Sequence, residues 1–164
     1  MPPLPALAGL ALVLVVASVV DLRERRIPNG CVVAVLVLGM ARVVWAHDPS
    51  RGSVALALEL AGALVPGLAV GTFLLAFSLA TARLLHAPGM GGGDLKLLAA
   101  LSCHLGLEGG FVLVALSCFL ALPPAFVSHL ARAGRGGPDS SLLRQDFAWA
   151  PAISVAALLL VALR

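Results

Sequence analysis

Residues 4–20 read Leu-Pro-Ala-Leu-Ala-Gly-Leu-Ala-Leu-Val-Leu-Val-Val-Ala-Ser-Val-Val without one charged side chain, and Asp21 ends the run. That length meets the lower bound of the roughly 17–25 apolar residues needed to cross a hydrocarbon core of about 30 Å. No basic residue precedes the run and no small-x-small cleavage site follows it, so it reads as a retained helix and not a secretory signal. Further apolar runs cover Gly30–Ala46, Val54–Ala82, Asp94–Leu107, Phe111–Val127 and Ala148–Leu163. The whole chain of 164 residues is 60% hydrophobic and 12% charged, whereas a soluble domain averages about 45–50% and about 25%. The expected fold is an all-α integral membrane protein, a single domain over residues 1–164, built as a bundle of about six transmembrane helices inside a lipid bilayer.

Most of the few charges fall between the runs or at their ends. Arg23, Arg25 and Arg26 follow the first helix, Arg83 and Lys96 flank the third connection, and Arg132, Arg135 and Arg144 lie around the fifth, while the second and fourth connections carry only Arg51. The positive-inside tendency makes the odd connections cytoplasmic and puts the protein in the cytoplasmic membrane. A net charge of +3 with few aromatic residues and no continuous basic helix gives no reason to expect a nucleic-acid partner. Cys31, Cys103 and Cys118 lie in apolar stretches without C-x-x-C pairing, and His47, His86, His104 and His129 share neither a helix face nor ligand spacing. The cysteines read as small core residues, and no metal or other cofactor is expected.

Two runs depart from the simple pattern. The third is longer than a crossing requires and contains Glu59 and Pro66, so it is expected to begin as an interfacial turn or to kink. Within it, Gly67 and Gly71 form a G-x-x-x-G pair suited to close helix packing. The fourth, from Asp94 to Leu107, rises only about 20 Å at roughly 1.5 Å per residue. Either the bilayer thins there, or Asp94 lies in a watery recess lined by protein.

Asp21 closes the first helix and Asp94 opens the fourth, which places both carboxylates at one depth on the cytoplasmic side. Ionisable groups at membrane depth are costly and mark functional sites. Gly89-Met90-Gly91-Gly92-Gly93 precedes Asp94; such glycines permit positive φ and the close approach of another chain. Ile27-Pro28-Asn29 supplies a rigid turn, with Asn29 as an N-cap or a hydrogen-bonding group at the start of the second helix.

The stretch Asp21-Leu22-Arg23-Glu24-Arg25-Arg26-Ile27-Pro28-Asn29 resembles the D-x-R-x-x-x-I-P-N segment of type IV prepilin peptidases, and Gly91-Gly92-Gly93-Asp94-Leu95-Lys96 resembles their G-x-G-D-x-K segment. The resemblance implies a membrane aspartyl endopeptidase that removes the leader from prepilins or pilin-like precursors, with Asp21 and Asp94 as the catalytic residues. Longer family members carry an N-terminal region with paired C-x-x-C motifs associated with methylating the new N-terminus. This chain is similar to the short, peptidase-only form associated with tight-adherence or Flp-type pili. Phe147-Ala148-Trp149-Ala150-Pro151 is loosely similar to the family's proline-rich aromatic segment before the last helix.

Two neighbouring carboxyl groups share a proton, so one is a base that activates water and the other an acid that hydrogen-bonds the scissile carbonyl. Helix polarity favours Asp94 as the base, at the positive end of its helix and near Lys96, and Asp21 as the proton carrier, at the negative end of the first helix. Two other classes of function use the same features: a proton- or cation-coupled transporter built on these carboxylates, and a non-catalytic secretion-system subunit. The helix-end position of both aspartates counts against the first, and the second leaves the paired motifs without a role.

Overall fold

The computed structural model describes residues 4–85, 90–133 and 149–163. Arg135, Arg144, His86, Gly89, Phe147 and Ala148 lie outside the described residues, as do the side chains of His129 and Arg132. Five α-helices follow in order: α1 (Leu4–Glu24), α2 (Asn29–Ala46), α3 (Gly52–Leu85), α4 (Gly92–Ala133) and α5 (Ala150–Ala162), with one 3-10 turn at Pro49–Arg51. Among the described residues three stretches qualify by length and composition to cross a membrane, Asn29–Ala46, Pro49–Leu84 and Gly92–Pro123, and Ala150–Ala162 is a shorter apolar helix.

The third of these stretches is divided. Gly106 has φ 72° and ψ 179°, outside the helical region. A Cβ placed on Gly110 would stand 2.9 Å from the Cβ of Ser102, although residues eight apart on a straight helix are separated by about 12 Å. The chain therefore folds back at Gly106, and α4 is a helical hairpin with arms 92–105 and 107–133. These arms are the expected fourth and fifth helices, with the turn set at Gly106 because only glycine adopts that φ without strain.

The short arm, 92–105, is the centre of the bundle. Leu97, Leu98 and Leu101 are fully buried, together with Leu14 of α1, Val35 of α2, Val70 of α3 and Ile153 of α5. Close contact between helices, more than apolar burial, drives association in lipid, and the glycine pair of α3 supplies it. Gly67 lies against Ala99 and Cys103, and Gly71 against the Cβ of Ala99. Outward-facing Leu12, Val33, Phe73 and Phe119 are exposed, the apolar coat of a protein whose solvent is hydrocarbon.

The long third run carries no break. α3 continues through Pro66 to Leu85, and it starts beyond a 3-10 turn capped by Asp48, whose side chain accepts from the Ser50 N–H. Glu59 is tied there by His47 Nδ1 at 2.9 Å and by Arg51 at 3.5 Å. His104 Nε2 is 2.8 Å from the Val35 carbonyl, and the three cysteines are free thiols.

Candidate active site

Helix α1 extends to Glu24, one turn beyond the expected end, so Asp21 is inside the last turn and its side chain faces the bundle. The helix stops at Arg25, which has φ 53° and donates its N–H to the Asp21 carbonyl at 2.8 Å. Asp21 is 5% exposed. Its Oδ2 accepts the backbone N–H of Ala150 at 3.1 Å, the first residue of α5. A pair of hydroxyls one turn further along both helices holds that contact: Ser18 donates to Ser154 at 2.8 Å, and Ser154 donates to the Leu14 carbonyl at 3.2 Å.

Asp94 is in the first turn of α4. Its Oδ1 is buried and has no hydrogen-bond partner among the described residues. The preceding glycines are used differently from the sequence expectation. None of Gly91, Gly92 and Gly93 has positive φ, and Gly92 and Gly93 are already helical. Their value is the missing side chain. A Cβ on Gly91 would lie 2.7 Å from Asp94 Oδ2, and one on Gly93 would lie 3.1 Å from the Ile27 Cβ. Ile27 is buried, so the connection after Asp21 seats directly on the first turn of α4, which holds Asp94.

Two further hydrogen bonds fix this end of the bundle. The Met90 N–H donates to Ser78 Oγ at 2.8 Å, tethering the glycine segment to α3. Lys96 Nζ donates to Asn29 Oδ1 at 3.4 Å. Pro28, with φ −62° and ψ 134°, is the N-cap of α2, and no side chain caps it. Asn29 is thus the hydrogen-bonding group and not the cap, and it joins the segment after Asp21 to the segment holding Asp94.

Asp21 and Asp94 come together at one end of the bundle, close enough to act on each other electrostatically. The helix-polarity argument changes with these contacts. Asp21 closes one helix but also faces the N-terminus of another, and Lys96 reaches Asn29 instead of pairing with Asp94. Ala150, Ser78 and the Ser18–Ser154 pair have no signal in sequence, because their roles come from backbone groups or from hydroxyls on apolar helices.

The described residues thus form an all-helical bundle with stretches able to cross a membrane and two carboxylates brought together at one end. The chain belongs to the Type IV leader peptidase family, whose sequence pattern it matches over residues 8–126. It is accordingly an aspartic-type prepilin leader peptidase. No curated protein and no solved structure matches the chain.

Proposed function

We propose that Asp21 and Asp94 are the catalytic pair and that the substrate is a Flp-type pilin precursor, cut at the cytoplasmic face of the membrane. The observation that supports this reading is the meeting of two carboxylates, one from α1 and one from α4, on a braced platform beneath the glycine segment. In the proposed topology α1, α2, α3, both arms of α4 and α5 all cross the bilayer as one domain, and the ends of α1 and α3 that carry Arg23 and Arg83 lie in the cytoplasm.

Peptide hydrolysis needs a base for water and an acid for the carbonyl. Asp21 holds a backbone N–H on Oδ2, which stabilises charge on that carboxylate, so Asp21 is the base in this proposal. Asp94, whose Oδ1 lacks a donor, holds the shared proton and directs it at the scissile carbonyl. Asp21 takes a proton from water as the hydroxide adds to the carbonyl carbon, and Asp94 hydrogen-bonds the oxyanion. Collapse of the tetrahedral intermediate breaks the C–N bond, and the proton on Asp21 passes to the leaving amine. This order reverses the assignment that helix polarity alone favours.

The test uses purified protein in nanodiscs with a candidate pilin precursor, read by intact mass. Loss of the leader mass is the expected result. Retention of the full precursor mass, with proton or cation flux in liposomes, would replace the protease reading by the transporter.

A further inference from the structure

A second polar site lies at the opposite end of the bundle. A cavity of about 330 Å³ opens between α2, α3 and the short arm of α4, lined by Arg42, Glu59, Cys103, His104 and Ala46. Arg42 is three residues past Gly39, and His104 is ten residues past Asp94 along the short arm, about 15 Å at 1.5 Å per residue. The cavity is therefore separate from the aspartate pair.

Its charges are unevenly matched. Glu59 is shared by His47 and Arg51. Arg42 donates one guanidinium N–H to the His104 carbonyl at 3.1 Å and forms no ion pair among the described residues. A guanidinium offers five N–H groups in a fork suited to phosphate. One contact to a carbonyl orients this fork and leaves most of it for a ligand.

The position selects the ligand. Arg42 is four residues before the end of α2, a helix able to cross the membrane, and thus close to headgroup level in a chain that spans it. Trp45 next to it is 83% exposed, as indoles are at membrane interfaces. Val54 and Leu58, in the first turns of the helix that carries Glu59, are also exposed and give this end of α3 an apolar outer surface. A phosphate at Arg42 with acyl chains along α3 satisfies both surfaces, which a free anion does not.

We propose that this cavity binds the phosphate headgroup of a glycerophospholipid, with Arg42 as the phosphate ligand, at the membrane face opposite the aspartate pair. Native mass spectrometry of the full chain tests it, with dioleoylphosphatidylglycerol or inorganic phosphate added at equal phosphate concentration. A retained lipid adduct is expected for the wild type, reduced at least about ten-fold in Arg42→Gln by loss of the charge-assisted contacts. Ala46→Phe, which narrows the cavity without changing charge, is expected to reduce the adduct as well, and Arg83→Gln, in the last turn of α3, to leave it unchanged. Leader cleavage by each variant verifies that it is folded. An undiminished adduct in Arg42→Gln, or an equal loss in Arg83→Gln, overturns the site. Displacement of lipid by equimolar inorganic phosphate overturns the lipid as its ligand.

Discussion

Replacing Gly91 with alanine tests whether the glycine segment serves to position Asp94. The new Cβ would lie 2.7 Å from Asp94 Oδ2, where ordinary van der Waals contact begins at 3.4 Å. The carboxylate must therefore retreat by about 0.5–1 Å, a displacement of the size that costs catalysis up to about 100-fold when a reacting group is misplaced. Because the clash is with the mobile end of a side chain, folding is expected to change by less than about 1 kcal/mol. Gly92→Ala is the matched control, since a Cβ there meets nothing within 4 Å and alanine is a better helix former by about 1 kcal/mol. Rates of leader release from a precursor peptide, measured in nanodiscs at saturating substrate, are expected to fall roughly 10- to 100-fold for Gly91→Ala and to stay near wild type for Gly92→Ala. Equal rates for wild type and Gly91→Ala would refute the positioning argument. So would equal losses in both variants, which would point to backbone freedom instead of space.

Gly106→Ala forces an L side chain onto φ 72°, at a cost of about 1–2 kcal/mol, and is expected to lower the thermal unfolding midpoint in detergent micelles. Ser154→Ala removes the hydroxyl that links α5 to α1; a stability loss of about 0.5–1.5 kcal/mol is expected, with slower cleavage because Ala150 is held less firmly on Asp21. Single cysteines in place of Arg25 or Arg83, in a background without Cys31, Cys103 and Cys118, are expected to resist impermeant thiol reagents in intact cells, and a cysteine at Ser50 to react. Labelling of the first two from outside would invert the proposed topology.

The common depth of Asp21 and Asp94 was legible because in a chain this apolar most charges mark the ends of runs, and the alternation of runs fixes which ends meet. Helix ends were less legible. Burial, not polarity, decides where α1 faces the bundle, and Leu22-Arg23-Glu24 continue the helix readily until Arg25 takes a left-handed φ. The sequence reading separates the fourth and fifth helices after Leu107, and the structure sets the turn at Gly106, where φ is 72° and the packing of Gly110 on Ser102 closes the hairpin. The glycine segment drew attention for conformational freedom, but its glycines are needed for space beside Asp94 and Ile27. The Ala150 contact with Asp21 joins residues 129 apart through a backbone N–H. No side-chain pattern encodes such a pairing, and it is the contact that changes the proposed division of roles between the carboxylates.

The central claim is that Asp21 and Asp94 act as one catalytic unit. Asp21→Asn, Asp94→Asn and the double variant, each purified in nanodiscs and compared for single-turnover cleavage of a pilin precursor, test it most directly. Groups that work as a unit are grossly non-additive, so each single variant is expected to lose all measurable cleavage while keeping its fold, and the double variant to be no worse than either. Near wild-type cleavage by one single variant, or losses that simply add in the double, would contradict the pair.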